Sequence, residues 1–275
     1  MTLFGRQVIV RLGPAGGQGR ELSGLRVGFA VKLSASSSTN SATITIYNPA
    51  PDTISAIQDP TAAVELLAGY SVARLRFRGN PTPGGVSIAR QGPDRILKIE
   101  AQEAGYAWRT ARVSLSYSAS VDLETVYADV STQLGLPAAV VQVPAGISFA
   151  PGLVLSGLAS DVLARLAAMS GSQTFTRDGA ICFIPADGDT GDVVPVFSAA
   201  SGNLIGSPTP TAVSGSTSSN GVKVRALLDA DLRPGQKFQV QSESYNGTYI
   251  ATDVQMSGDS GFAQDFYLDA TGTAA

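Results

Sequence analysis

Residues 25–48, LRVGFAVKLSASSSTNSATITIYN, alternate between apolar and polar positions on both sides of a segment rich in serine and threonine. A period of two is typical of a strand with one face in a core. Asn48-Pro49 ends the second half, because proline has no N–H to donate to a sheet. The pattern predicts a β-hairpin with these residues on its buried face: Leu25, Val27, Phe29, Val31, Leu33, Ile44 and Ile46.

The other face of this predicted hairpin carries small, mostly uncharged side chains and a few charged ones. Such a face suits a packed partner or a barrel interior as well as it suits water. We therefore expect it to contribute to an interface, and its candidate residues are Arg26, Lys32, Thr43, Thr45 and Tyr47.

The rest of residues 1–112 also favours short strands. A short helix is expected at residues 51–59, with Asp52 as its N-cap. The glycine-rich segment 13–19 has neither the Lys-Ser/Thr of a phosphate loop nor a following helix, so we interpret it as a flexible turn. Several short strands separated by turn signals favour a barrel or a sandwich. The further strands are expected at residues 7–12, 63–69, 71–79 and 95–100.

Helical periodicity enters the pattern in the middle of the chain. Apolar residues spaced by three and four predict helices at residues 120–134 and 159–169. A hairpin is then expected to turn at Asp178-Gly179, which is among the strongest two-residue turn signals. Residues 113–200 therefore predict a small α+β insert between two β regions.

The C-terminal part of the chain returns to strands and turns. Residues 214–220 are expected to form a mobile linker before them. The predicted fold class is mainly β with an α+β insert, divided into domains at residues 1–112, 113–200 and 201–275. The C-terminal strands are expected at residues 221–228, 237–242, 248–256 and 264–268.

The composition indicates a surface with few charged residues. Charged residues make up only 15% of the 275 residues, whereas about 25% is typical of soluble domains. A low share of charge suits a protein that covers much of its surface with partners. A soluble protein that is merely rich in Ala, Gly, Ser and Thr would have the same composition, so both interpretations stay open.

Nucleic-acid binding finds no support in the charge pattern. The net charge is −3, and affinity for phosphates depends on clustered basic residues. Arg74, Arg76 and Arg78 alternate along one predicted strand, and we interpret them as a solvated or interface face. No specific nucleic-acid binding is predicted.

The residues also argue against catalysis. The chain contains no histidine, so neither a Ser-His-Asp nor a Cys-His arrangement can form. The single cysteine, Cys182, lies in an apolar run and is expected to be buried. Asp122 and Glu124 fit the start of a helix better than a pair of catalytic carboxylates. We predict no enzyme, no metal site and no cofactor.

Two further features bear on metal binding and membranes. The three aspartates of DGDTGD, Asp187, Asp189 and Asp192, resemble the start of a calcium loop. The later positions of such a loop do not match, because Ser198 stands where a glutamate is needed, so a polar turn is preferred. No apolar run approaches the roughly 18 residues of a membrane span, and the N-terminus lacks the pattern of a signal peptide. No membrane anchor is expected.

Several short motifs follow one another in an order that resembles the central baseplate hub proteins of tailed phages. Each is a turn or a strand end, and Ala230 departs from the pattern, which has proline there. In the hairpin the matching residues are Phe29, Val31, Lys32, Asn40 and 42–48. Further along they are residues 67–70, Phe77, Gly79, Ser201, Gly202, 204–206, Pro208 and Thr209. The last group is Leu228, 232–235, Asn246, Gly247, Tyr249, Gly258, Asp259 and Gly261.

This resemblance implies an architecture and a set of partners. Each chain would hold two tube-like β-barrel domains, and three chains would form a ring with a channel for DNA. The implied partners are two further copies of the chain, a tail tube protein, a tip spike protein and other baseplate proteins. The protein would be assembled in the host cytoplasm and located in the tail baseplate of the virion. A related secretion or injection machine that uses the same hub stays open.

Two other functions compete with the hub. One is a carbohydrate-binding or adhesin-like β module, which would need an exposed aromatic platform. Tyr106 and Trp108 are the aromatic pair nearest to this requirement, although we expect them in the core and at a barrel edge. The other is a cell-wall hydrolase fused to a hub, which would need an active pair of carboxylates.

Overall fold

The computed structural model describes residues 5–14, 19–36, 39–59, 61–70, 72–144, 146–211, 221–261 and 266–275. The predicted glycine-rich turn and mobile linker lie largely outside these ranges. The helices of the described residues are α1 Pro51–Ile57, α2 Gly105–Thr110, α3 Leu123–Leu134 and α4 Ala159–Ser170.

The strands are numbered in chain order. The first ten are β1 Arg6–Gly13, β2 Arg20–Leu22, β3 Val27–Ser34, β4 Ser41–Tyr47, β5 Ala63–Tyr70, β6 Arg74–Gln91, β7 Asp94–Gln102, β8 Arg112–Tyr117, β9 Val121–Asp122 and β10 Ala138–Val141. The others are β11 Ser148–Phe149, β12 Leu153–Leu158, β13 Ser172–Arg177, β14 Ala180–Pro185, β15 Val196–Ser198, β16 Leu204–Thr211, β17 Gly221–Leu227, β18 Lys237–Gln241, β19 Asn246–Asp259 and β20 Phe266–Ala274. The predicted mainly β fold with a small helical part is confirmed.

The predicted hairpin is formed by β3 and β4. The two strands pair antiparallel, with Val27 opposite Ile46 and Phe29 opposite Ile44. All four of these side chains are buried. The period-two pattern therefore identified both the strands and the face that enters the core.

This hairpin lies in the middle of a sheet of thirteen described strands. The order is β16-β17-β20-β19-β3-β4-β7-β6-β5-β1-β2, with β18 beside β19 and β15 beside β18. Strand β3 pairs with β19, and strand β4 pairs with β7, both antiparallel. The β regions from the two ends of the chain are thus joined by a direct strand pairing at the hairpin.

One hydrophobic core lies under both β regions. It contains buried residues from β1, β3 to β7, β15 and β17 to β20. Phe266 is central to it: its ring lies 5.8 Å from that of Phe29 and 5.1 Å from that of Tyr70, both edge-on. Because aromatic pairs add to the energy of burial, these contacts bind strands that are distant in sequence.

Gly258 allows this aromatic packing, and its replacement gives a first prediction. A Cβ added there would lie 2.5 Å from Cζ of Phe29 and 2.7 Å from Cδ2 of Phe266. We expect Gly258→Ala to reduce the free energy of unfolding by about 1–3 kcal/mol, because an overpacked core must shift. The shift of the urea midpoint measures this effect.

Gly28→Ala is the matched control for Gly258→Ala. Gly28 lies on the neighbouring strand, and its added Cβ would meet no atom closer than 3.5 Å, the Oδ2 of Asp259. We expect a change within about 0.5 kcal/mol for Gly28→Ala. Equal midpoints for the two variants would show that the Phe29 and Phe266 contacts do not limit the space at Gly258.

The insert has a core of its own, formed by α3, α4 and the strands that flank them. The rings of Tyr127 and Phe183 stack at 4.2 Å inside it. The predicted turn at Asp178-Gly179 is confirmed, since both residues have positive φ, 52° and 85°, between β13 and β14. Two-residue hairpin turns of this kind need positive φ.

Three predictions that concern the helices and their ends differ from the structure. Helix α3 begins at Leu123 rather than at residue 120, because Val121–Asp122 pairs as a strand with Ser148–Phe149. Asp52 is not an N-cap: Ala50 occupies that position, and Asp52 pairs with Arg20 at 3.1 Å. Tyr106 and Trp108 lie on a helix, α2, and not at a barrel edge.

Candidate functional site

A polar sheet face crosses the two β regions on the side opposite the shared core. We define it by six strands, β17, β20, β19, β3, β4 and β7, whose outward side chains form cross-strand rows. The row through Lys32 consists of Arg225, Asp269, Gln255, Lys32, Ser41 and Gln102. One continuous surface is therefore built from both ends of the chain.

Charges on this face are mostly paired within the face itself. Arg225 donates two hydrogen bonds to the Asp269 carboxylate, at 2.8 and 2.9 Å. Lys98 and Glu100 form an ion pair at 2.6 Å. Because positive and negative groups alternate, the face presents no concentrated basic patch to phosphates.

The five candidate interface residues all lie on this face or at its end. Thr43 and Thr45 stand half-buried in the middle of β4, and Lys32 is exposed on β3. At the end of the face, the Arg26 guanidinium hydrogen-bonds Asp259 and lies 4.3 Å from the centre of the Tyr47 ring. The structure brings the five residues onto one surface, and their role at an interface stays a prediction.

A buried arginine, Arg76, is the polar residue that the sequence pattern placed wrongly. The prediction put Arg74, Arg76 and Arg78 together on one solvated or interface face, but Arg76 points inward and only 1% of it is exposed. The cause is an irregularity between β5 and β6, where Leu66 pairs with Phe77 and Leu67 with Leu75. The extra residue at this bulge is Arg76, so its side chain turns inward.

The buried guanidinium of Arg76 ties strands β5 and β6 to residues 228–231 of the C-terminal region. It donates to the carbonyl oxygens of Ala68 and Ala230, both at 2.8 Å, and of Leu228 at 3.3 Å. Asp231 lies 3.7 Å away. Burial lowers the pKa of Arg76 to about 10, so the side chain remains charged at neutral pH.

A second buried polar group, Glu103, joins the same sheet to the insert. Its Oε2 accepts hydrogen bonds from Asn40 Nδ2 and Thr176 Oγ1, and its Oε1 accepts one from the Gly179 N–H at 2.6 Å. Asn40 also donates to the carbonyl oxygen of Thr176 at 2.8 Å. Burial raises the pKa of Glu103 although three donors face the carboxylate. No pattern in the sequence around Arg76 or Glu103 indicates the residues to which they form hydrogen bonds.

A groove of about 490 Å³ lies beside these groups, and we call it the junction groove. It forms where four segments meet: the start of β6, the tip of the β13–β14 hairpin, the segment before β15 and the segment before β18. Arg233 is buried at its floor and pairs with Asp178 and Asp231, each at 3.1 Å. The residues that line it are Arg74, Arg177, Asp178, Asp192, Val193, Pro195, Asp231, Arg233 and Gln236.

The aspartates that resembled a calcium loop have protein partners. Asp189 pairs with Lys237 at 2.7 Å, and Asp192 pairs with Arg177 at 2.5 Å. The Gly191 N–H donates to Asp189 at 2.8 Å, as in a polar turn. Within the described ranges, no group of three acidic or cysteine side chains could hold a metal ion.

The single cysteine and the aromatic pair of α2 offer no reactive thiol and no flat aromatic surface. Cys182 is fully buried, and burial raises the pKa of its thiol to about 12, which disfavours the reactive thiolate at neutral pH. Trp108 packs against the insert core, whereas Tyr106 is exposed. No helix in the described part of the chain is both long and apolar enough to cross a membrane.

The fold is that of phage tail proteins. The 43 kDa tail protein of prophage MuSo2 from Shewanella oneidensis matches with a TM-score of 0.65 and 10% identity, covering 98% of this chain and 97% of that one. The tail protein from Neisseria meningitidis MC58 matches with a TM-score of 0.66 and 10% identity, covering 98% and 96%.

A third similar structure comes from a secretion system. The E. coli c3393 protein is described as a type VI secretion system component with structural similarity to the T4 bacteriophage tail proteins gp27 and gp5. It matches with a TM-score of 0.62 and 14% identity over 96% of this chain and 76% of that one. No protein-family model and no curated protein matches the sequence. The resemblance to tail hub proteins is thus confirmed at the level of the fold.

Proposed function

We propose that this chain is a structural subunit of a phage tail, the central hub of its baseplate. The observation that carries the proposal is the polar sheet face, which the pairing of β3 with β19 builds from both ends of the chain. A sheet with one face in a core and an equally ordered polar face is suited to line a passage or to meet another subunit. The similarity to tail proteins over almost the whole chain supports the same proposal.

In the proposed assembly, three copies form a ring that joins the tail tube to the tip spike. The partners are the tail tube protein, the tip spike protein and other baseplate proteins, and the location is the virion tail after assembly in the host cytoplasm. We keep the division at residues 1–112, 113–200 and 201–275 as the proposed domains, with the first and third as tube-like barrels. The role is non-enzymatic and needs no cofactor.

The proposed ring surrounds a channel for DNA, and the polar sheet face lines it. Passage requires that phosphates are not held tightly. Lys98 and Arg225 have carboxylate partners on the same face, so Lys32 and Lys223 are its separate positive charges and do not form a dense basic patch that could bind DNA tightly. A basic, unpaired face would retain the DNA that has to pass.

The mass of the chain in solution is the first test of this proposal. One chain has a mass of 28.2 kDa, and light scattering after size exclusion is expected to give about three times this value. A chain that remains monomeric even with the tube and spike proteins present would contradict the hub.

A thiol placed at Thr43 tests whether the polar sheet face lines the channel. Cys182 is buried, so a Thr43→Cys variant offers one reactive thiol. In the three-chain species we expect this thiol to react with N-ethylmaleimide, but much more slowly with a maleimide carried on a folded protein. The rates of both reactions are read by mass spectrometry.

Val154→Cys is the control for this labelling experiment. Val154 lies on the insert with 60% of its surface exposed, and the new thiol should react readily with both reagents. If Thr43→Cys also reacts equally fast with both, the face points to the outside of the assembly. If it reacts with neither, the face is buried between subunits and does not line a channel.

The carbohydrate-binding alternative is less well supported by the geometry. Trp108 packs against the insert core, and Tyr106 alone of this pair is well exposed, so they do not form a flat aromatic platform. A pull-down on polysaccharide separates the two functions. The similarity to the type VI component leaves a secretion machine as the second setting for the same hub.

A further inference from the structure

The junction groove is made by four segments of the chain, and its carboxylates already have partners. Asp178 pairs with Arg233, and Asp192 pairs with Arg177. Asp231 lies 3.1 Å from Arg233 Nη1 and 3.7 Å from Arg76 Nη1. Each of the three aspartates of the groove is therefore paired with at least one arginine of the same chain.

Arg74 is the exception among the charged residues of the groove. It lies exposed at the rim, at the first residue of β6, and no carboxylate in the described part of the chain is within ion-pair distance of it. Arg76 is buried two residues further along the same strand. The rim therefore carries an uncompensated positive charge, to which a carboxylate could bind by two parallel hydrogen bonds.

Another part of the groove lining is apolar, and hydrogen bonds hold it in place. We call residues 193–196 the valine strap; Val193 is 88% exposed, the largest exposure among the large apolar residues of the described chain. Its carbonyl oxygen nevertheless accepts a hydrogen bond from Gln236 Nε2. Those of Pro195 and Val196 accept bonds at 2.9 Å from the Gln239 N–H and Asn203 Nδ2. An ordered segment with outward-facing valines loses little entropy when a partner covers it.

We propose that the junction groove binds an extended acidic segment of a partner protein. A carboxylate of the segment pairs with Arg74, and a neighbouring apolar side chain packs on Val193. The groove volume lies within the range of about 300–1,000 Å³ in which ligand sites commonly fall. A free phosphate would satisfy Arg74 but would leave the valine strap uncovered. This surface is separate from the polar sheet face, so the proposal does not depend on the ring.

Valine methyl NMR of the full chain tests the proposal with a defined probe, the blocked peptide acetyl-Val-Glu-Val-Glu-Val-amide. We expect the methyl signals of Val193 and Val194 to shift on titration. The same peptide with Gln in place of Glu should bind about fivefold more weakly, as should the glutamate peptide to Arg74→Gln, because one charge pair at a partly exposed site is lost.

One control variant and one further test variant make the outcome specific. Arg90→Gln removes another exposed arginine of β6, outside the groove, and should leave the affinity unchanged. Val193→Ser should weaken binding without affecting the fold, since the side chain is exposed. The proposal is overturned if millimolar peptide shifts neither methyl signal, or if the Glu and Gln peptides bind equally. It is also overturned if inorganic phosphate displaces the peptide and gives the same shifts at equal concentration, which would indicate a simple anion site.

Discussion

Replacing Arg76 by leucine is expected to reduce the free energy of unfolding by about 3–5 kcal/mol. The guanidinium donates to three buried carbonyl oxygens, those of Ala68, Ala230 and Leu228. Leucine leaves all three without this donor, and a buried polar atom without a partner costs about 1–3 kcal/mol. Urea unfolding followed by circular dichroism measures the change.

Arg78→Gln provides the matched control on the same strand. Arg78 is exposed and pairs with Glu65 at 2.6 Å, and exposed ion pairs contribute about 0–1 kcal/mol. Arg76→Lys should fall between the two variants, because one ammonium cannot bond the Ala68 carbonyl oxygen on β5 and both carbonyl oxygens of residues 228–230 at once. If Arg76→Leu is no less stable than Arg78→Gln, then the buried hydrogen bonds of Arg76 do not hold the two β regions together.

The difference between Arg76 and its neighbours shows where prediction from the sequence stops. Alternation gave the right face for β3 and β4, and for Arg74 and Arg78 of β6, because a strand turns by half a circle at each residue. The bulge opposite Leu66 and Leu67 inserts one residue and reverses this order locally. Nothing in the segment ARLRFRG marks the bulge, since its cause is the pairing with β5.

Sequence separation explains the other differences. The Asp178-Gly179 turn was predictable because two adjacent residues determine it. In contrast, Glu103 bonds Thr176 and Gly179, more than seventy positions away, and β3 pairs with a strand more than two hundred positions away. Such pairings depend on the whole fold. The polar sheet face could therefore be predicted for the hairpin but not for the strands added from the C-terminal region.

The arrangement also explains how a chain with little charge can present specific surfaces. Most of its charged residues on the polar sheet face are paired with each other, whereas Arg76 and Glu103 are buried at the joints between parts of the fold. Glu103 holds the β13–β14 hairpin through Thr176 and Gly179, and Arg76 holds residues 228–231. Asp178 and Asp231, which line the junction groove, belong to these two segments.

Glu103→Gln is expected to reduce the free energy of unfolding by about 1–3 kcal/mol at pH 7. The three groups that face the carboxylate are all donors, and an amide offers only one oxygen to them. Asn40 cannot turn its own amide to compensate, because its Oδ1 accepts from the Ser34 N–H while its Nδ2 donates to the Thr176 carbonyl oxygen. The urea midpoint is the measurement.

The exposed glutamate at position 100 gives the control for Glu103→Gln. Glu100→Gln breaks a surface ion pair with Lys98 and should change the free energy of unfolding by less than about 1 kcal/mol. If Glu103→Gln is as stable as this control, the hydrogen bonds of Glu103 do not determine how the insert hairpin docks.

The pH dependence of the stability of Glu103→Gln tests the effect of burial on Glu103. Burial raises the pKa of Glu103 in the folded chain above its value of about 4.3 in the unfolded chain. The folded state then binds the proton more tightly, so the contribution of this group to stability is full below the unfolded pKa and falls as the pH rises through the folded pKa. Glutamine does not titrate, so Glu103→Gln has no such pH-dependent contribution. The free energy of unfolding of the wild type should therefore exceed that of Glu103→Gln by more at pH 4.5 than at pH 8. The like charge of Asp178 also raises the pKa of Glu103, and this contribution disappears together with burial of the carboxylate in Glu103→Gln. A difference that grows with rising pH would mean that the three donors outweigh burial and that the carboxylate is the favoured form in the fold.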